Sequence, residues 1–182
     1  MKKLFILFLS GFLTFCNSKE RPATEMVNNW KAKRLELPLD SIIFNAQGVL
    51  TKPHEKDLKI LSLINGGCGS CIEDLAKWKT FMGNIDTSKV GFIFLVYSED
   101  GTVSKQEFKN KDSLYINLKY PYYDDLSYTL FLKNNFPSKK LFQTFLINQE
   151  NEVQVIGNPL MSSEISNLYK TAIDSRKRGN NE

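Results

Sequence analysis

Histidine is nearly absent from this 182-residue chain and cysteine is scarce: one histidine, His54, and three cysteines, Cys16, Cys68 and Cys71. That scarcity narrows the metal chemistry. Cys68-Gly69-Ser70-Cys71 is half of a zinc site, and no second Cys or His pair exists to complete it. A copper-delivery pattern has three residues between its cysteines and a distal histidine; here two residues intervene and His54 lies upstream, as a surface residue with no partner motif. A large excess of charge is also missing. Lys and Arg total 24 against 20 Asp and Glu, and residues 1–15 carry Lys2 and Lys3, so the remainder holds 22 against 20. Near-neutrality gives no electrostatic case for nucleic acid as a partner. No apolar run is long enough for a comfortable membrane span, and no repeat or low-complexity tract occurs. With 42% hydrophobic and 24% charged residues, the composition is that of one ordinary globular domain with a sizeable core.

What is present centres on Cys68-Gly69-Ser70-Cys71. Leu58–Ile64 is short, apolar and reads as a buried strand. Asn65-Gly66-Gly67 is a turn signal. Beyond the cysteines, Ile72, Leu75, Trp78 and Met82 follow a helical spacing. Both cysteines therefore fall at a strand-to-helix junction, on the first turn of the helix. Free amides and the positive end of the helix dipole stabilise an anion there. A thiolate so placed has a lowered pKa and is the form that attacks disulfides. Cys68, the outer cysteine, is the candidate nucleophile, and Cys71 the resolving thiol. A static disulfide remains a competing reading, although a bridge over two residues closes too small a loop to stabilise much by chain entropy.

The first residues are read as an address. Met1-Lys2-Lys3 and the apolar stretch to Leu13 form the n- and h-regions of an export signal. Leu13-Thr14-Phe15-Cys16 is similar to a bacterial lipobox, with Phe15 larger than the residue usual before the cysteine. Residues 1–15 are thus expected to be a lipoprotein signal peptide, Cys16 the acylated residue, 16–24 a tether, 25–175 the domain and 176–182 a polar tail. This places the domain at the cell envelope, held to a bacterial membrane and facing the periplasm, where disulfides persist. It also accounts for the odd number of cysteines, one for lipid and two for redox chemistry.

Along the domain, Glu25–Arg34 is expected to hold a helical turn or two, and Ser41–Asn45 to be extended. Val90–Tyr97 is a second continuous apolar run, the pattern of a parallel strand buried on both faces. Val103–Asn110 reads as a short helix and Tyr115–Leu118 as a short strand. Tyr120–Asp125 is an aromatic turn, a packing edge or a binding platform. A helix is expected over Leu126–Asn135, stopped by Pro137. Leu141–Asn148 and Glu152–Gly157 read as a β-hairpin, and a last helix runs from Ser162 or Ser163 to about Ala172.

The order of strand, redox helix, strand, helix, hairpin and helix makes an α/β sheet. Leu61–Cys71 with Trp78, and Thr144-Phe145-Leu146-Ile147-Asn148 running to Gly157, resemble the thioredoxin-like fold of TlpA/ResA-like membrane-tethered thiol–disulfide oxidoreductases. They resemble in particular thioredoxin-like lipoproteins found in Bacteroidales. The resemblance covers about Leu35 to Ala172. It implies a central mixed sheet flanked by helices, with an N-terminal strand extension, and a Cys68–Cys71 dithiol that reduces client disulfides. It also implies a membrane or periplasmic electron donor and no cofactor; the lipid bilayer is the expected partner through the acylated Cys16, and no metal is expected because the second ligand pair is missing. Gly67, Gly69, Ser70, Gln143 and Thr144 would contact the client. Three departures stand out: Gly67 replaces the aromatic usual before the first cysteine, Ser70 replaces the proline usual before the second, and Phe142-Gln143 occupies the place of a cis-proline. They keep open a non-enzymatic binding lipoprotein with a passive disulfide. A peroxidase is disfavoured, since Gly66-Gly67 supplies neither the hydroxyl residue nor the proline that its active cysteine needs.

Overall fold

The computed structural model describes residues 21–37, 42–44, 53–108, 110, 120 and 122–179. Its elements are α1 (Arg21–Trp30), β1 (Ile42–Phe44), β2 (Leu58–Asn65), α2 (Gly69–Gly83), β3 (Val90–Tyr97), β4 (Tyr122–Asp125), α3 (Thr129–Asn134), β5 (Thr144–Ile147), β6 (Val153–Ile156) and α4 (Ser163–Gly179). Among the described residues, six strands form one sheet in the order β1-β4-β3-β2-β5-β6. Strand β2 lies inside it, parallel to β3 and antiparallel to β5. Strands β3 and β4 are parallel, whereas β5–β6 and β1–β4 are antiparallel. The sheet is therefore mixed, with helices on both faces, as expected.

Alternation along the strands divides the core in two. On one face Leu58, Ile60, Ile64, Phe92, Phe94 and Val96 pack with Ile72, Leu75 and Trp78 of α2 and Tyr169 and Ile173 of α4. On the other, Leu61, Leu63, Ile93 and Leu95 meet Trp30 of α1, Phe131 of α3, and Phe136. Burial on both faces is why β2 and β3 read as unbroken apolar runs. Trp78 fixes α2 against the sheet, packing edge-on to Phe81 and Phe94 at ring-centroid distances of 5.4 and 5.6 Å. Gly91 lets a short 3-10 turn, Pro53–Glu55, lie directly on β3: a Cβ at Gly91 would fall 2.4 Å from the Pro53 carbonyl oxygen.

Several boundaries differ from expectation. Helix α1 begins at Arg21, inside the stretch read as tether, and α4 continues to Gly179, beyond Ala172. Strand β5 starts at Thr144 because Lys140–Phe142 forms a 3-10 turn. Tyr122–Asp125 is a strand with both tyrosines buried, so these rings are core rather than an exposed platform. Helix α3 starts only at Thr129: the buried Asp125 carboxylate accepts from the Leu130 and Phe131 amides at 2.8 and 2.7 Å, which sets where the helix begins. Helical backbone occurs at residues 105–108, with Phe108 fully buried. Tyr115–Leu118, Cys16 and residues 1–20 lie outside the described residues, as does the side chain of His54.

Candidate functional site

Strand β2 delivers the chain to the site, and a short series of backbone bonds turns it into α2. Gly66 N–H donates to the Tyr97 carbonyl at 2.9 Å, tying the turn to the end of β3. Asn65 grips the turn twice: its carbonyl accepts from Cys68 N–H at 3.1 Å and its Oδ1 from Gly67 N–H at 3.0 Å. Cys68 then stands as the N-cap of α2 with extended backbone. Its carbonyl accepts from Cys71 and Ile72 N–H at 3.0 and 3.2 Å, starting the helix.

The sulfur of Cys68 occupies the place of a capping side-chain oxygen. Cys71 N–H donates to Cys68 Sγ at 3.3 Å, and Ser70 Oγ lies 3.3 Å from the same sulfur. Cys68 and Cys71 have Cα atoms 5.2 Å apart and sulfurs at disulfide distance. Both are half-buried, while Gly67, Gly69 and Ser70 are exposed. No atom would come within 4 Å of a Cβ at Gly69, so the rim there is open. With two hydrogen-bond donors aimed at one sulfur and a helix behind it, the arrangement can stabilise a Cys68 thiolate in the reduced pair.

Gln143 and Thr144 sit behind this rim. The Gln143 carbonyl accepts from Leu63 N–H at 2.9 Å, so the residue flanks the β2 end that leads to Cys68. Its side chain is buried, with Nε2 3.0 Å from the Pro137 carbonyl oxygen and 3.2 Å from Tyr97 Oη. Thr144 is fully buried; its carbonyl accepts from Gly157 N–H at 2.9 Å and its hydroxyl lies 3.3 Å from Ser62 Oγ. Both side chains are thus spent on the protein itself. No cis peptide bond occurs among the described residues.

Three further groups complete the site. Tyr97, buried, is hydrogen-bonded to Gln143; burial raises its hydroxyl pKa, and the polar side chains of Gln143 and Asn65 oppose the rise. Asp74 on α2 binds Lys77 at 2.6 Å and Lys140, in the turn before β5, at 2.7 Å. Partial burial pushes the Asp74 carboxyl up, but the two lysines outweigh it and hold the carboxyl below its ordinary range. The Asp74–Lys140 pair links α2 to the segment that carries Gln143. The Asn-Gly turn signalled Asn65, but nothing in local sequence pointed to Tyr97, Asp74 or Lys140. Among the described residues, no group of three or more His, Cys, Asp or Glu could hold a metal ion, and no helix is long and apolar enough to cross a membrane.

No protein-family model and no curated protein matches the chain. Solved structures do. A thiol-disulfide isomerase from Corynebacterium glutamicum superposes with a TM-score of 0.57 at 14% identity, over 78% of this chain and 96% of that one. MTB dsbF, solved in mixed oxidized and reduced forms, gives 0.53 at 10% identity, over 76% and 98%. A thioredoxin-like protein from Aeropyrum pernix gives 0.50 at 12% identity, over 82% and 96%. Together with the strand order, these place the chain in the thioredoxin-like fold.

Proposed function

We propose that this chain exchanges disulfides, reducing those of client proteins with the Cys68–Cys71 dithiol. The observation that carries the reading is the position of Cys68 Sγ at the N-cap of α2, facing the Cys71 amide and the Ser70 hydroxyl. A passive bridge needs no donors on one of its sulfurs; an attacking thiolate does. In the reduced enzyme the Cys68 thiolate attacks one client sulfur. A mixed disulfide forms, and the other client sulfur leaves as a thiolate that takes a proton from solvent. Cys71, losing its proton to solvent, then attacks Cys68 Sγ. The Cys68–Cys71 disulfide forms and the second client thiolate departs. Two electrons pass to the client, and a dithiol donor at the membrane or in the periplasm must restore them.

Gly67, Gly69 and Ser70 form the exposed rim on which a client chain would lie. Gln143 and Thr144 would act from beneath, shaping the backbone around that rim, since their side chains are already engaged. Residues 1–15 as signal peptide, acylation at Cys16, a tether over 16–24 whose last residues already belong to α1, and a tail from 176 whose first residues continue α4 remain part of the proposal; this arrangement would put the domain at the periplasmic side of a membrane. Cys16→Ser is expected to release the protein to the soluble fraction, and retention at the membrane counts against the lipid anchor.

The test of exchange is Cys71→Ser. It should accumulate mixed disulfides between Cys68 and clients in cells, visible as reducible high-mass species. Their absence, with the variant folded, defeats the proposal. The burial of Gln143 and Thr144 favours one other reading, a binding lipoprotein whose disulfide is passive. In that case Cys68→Ser/Cys71→Ser would retain full function in cells.

A further inference from the structure

The crossover from β3 to β4 passes directly against the cysteine turn. A Cβ at Gly66 would lie 3.1 Å from Val103 Cγ1 and 3.3 Å from Val96 Cγ1, and one at Gly67 would lie 3.6 Å from Val103 Cγ2. The two methyls of Val103 therefore sit against the two residues that lead into Cys68. Neither glycine has a positive φ, so Gly66 is there for space rather than for backbone conformation. Val103 is only 6% exposed, and its segment is anchored on both sides. Before it, Asp100 Oδ1 accepts from Ser98 Oγ at 3.0 Å and from Thr102 N–H at 3.1 Å. After it, Lys105 Nζ binds Asp124 Oδ2 at 2.5 Å, and Phe108 packs edge-on to Tyr122 at 5.0 Å between centroids.

We propose that Val103 is a positioning residue for Cys68: its methyls back the Gly66-Gly67 turn and so set where the nucleophilic sulfur stands. The inference rests on the exchange reading above. Backbone bonds tie the turn to the strand ends, Gly66 N–H to the Tyr97 carbonyl and Cys68 N–H to the Asn65 carbonyl. Val103 fills the space between that turn and the crossover. Close-packed interiors transmit small displacements. If the backing is removed, the turn can sink while Trp78 still pins α2 to the sheet. Cys68 Sγ then moves relative to its donors, the Cys71 amide and the Ser70 hydroxyl. A reduced pair carries an anionic sulfur that needs those donors. An oxidised pair carries no such charge, and its own covalent bond holds the sulfurs. Loss of the backing therefore weakens the reduced form more than the oxidised one.

The experiment compares wild type, Val103→Ala, Gly66→Ala, the double variant and Val153→Ala, each equilibrated in glutathione buffers, with the oxidised fraction read by thiol trapping. Val103→Ala should shift the exchange equilibrium about twofold to tenfold toward the disulfide, the size of one weakened hydrogen bond. Gly66→Ala pushes the turn off Val103 and should shift it in the same direction. In the double variant the new methyl enters the space that Val103 leaves, so the equilibrium should return toward wild type rather than add the two changes. Val153, a buried valine in the core on the other face of the sheet, is the control: Val153→Ala should lower the melting temperature without moving the equilibrium. A merely structural Val103 behaves like Val153, with both redox forms melting lower by the same amount and the equilibrium at the wild-type value; that result overturns the proposal. A double variant shifted by the sum of the single changes also overturns it. Should Val103→Ala fail to fold, Gly66→Ala decides by the same readout. If wild type itself does not exchange with glutathione, the exchange reading falls and takes this proposal with it; an exchanging wild type with unshifted variants sinks the proposal alone.

Discussion

Ser70→Ala removes one of the two donors at Cys68 Sγ and leaves the other. The hydroxyl oxygen lies 3.3 Å from the sulfur. A hydrogen bond to a charged acceptor contributes about 1.5–3 kcal/mol when shielded. Ser70 is exposed, so water competes and roughly 1 kcal/mol is the reasonable figure. At about 1.36 kcal/mol per unit, the midpoint for thiolate formation at Cys68 should rise by somewhat under one pH unit. The lost stabilisation falls on the reduced form, so the potential should become more negative by about 20 mV, from roughly 30 mV per 1.4 kcal/mol. The assay is the pH dependence of alkylation of the reduced protein by iodoacetamide, with Ser70→Thr as the variant that keeps the hydroxyl. Ser70→Thr should stay near wild type. An unchanged midpoint in Ser70→Ala would refute the argument that this hydroxyl serves the sulfur.

Other consequences are structural. Trp78→Ala removes the ring that holds α2 to the sheet and should cost about 3–5 kcal/mol in urea unfolding; a loss below about 1 kcal/mol contradicts the packing described. Gly91→Ala forces a Cβ onto the Pro53 carbonyl, and the denaturant midpoint should fall, with Gly69→Ala, which meets open space, as a control that barely moves. Asp74→Asn tests the bridge to Lys140. Because the folded carboxyl titrates below its ordinary range, its contribution is complete above the unfolded value near pH 4 and is lost as pH falls through the lower folded one. The stability gap between wild type and variant, on the order of 1 kcal/mol, should thus be flat at neutral pH and close in acid; a gap that persists in strong acid would speak against it.

Much of this architecture was legible because periodicity and turn chemistry act locally. Leu58–Ile64 and Val90–Tyr97 announce buried strands, Asn65-Gly66-Gly67 the turn, and Ile72, Leu75, Trp78 and Met82 the face of α2. The hairpin from Thr144 to Gly157 was visible for the same reason. Tyr122–Asp125 was less legible, because Pro121 and two aspartates hide a strand whose second aspartate caps the next helix. The start of β5 was displaced because a 3-10 turn at Lys140–Phe142 looks as apolar as a strand. The cysteine pair itself was plain from spacing. Its support was not: Tyr97 and Gln143 are 46 residues apart and meet only because β3, β2 and β5 lie side by side. Lys140 likewise reaches Asp74 only through that arrangement.

The equilibrium reduction potential of the Cys68–Cys71 pair, measured on the folded domain by thiol trapping across glutathione or dithiothreitol buffers, bears most directly on the central claim. An exchanging, reducing dithiol should show a reversible couple within about 100 mV of the thioredoxin value of roughly −270 mV. A disulfide still intact below that window, more negative than about −370 mV and so well past the roughly −300 mV of structural bridges, would contradict the assignment of Cys68 as a nucleophile.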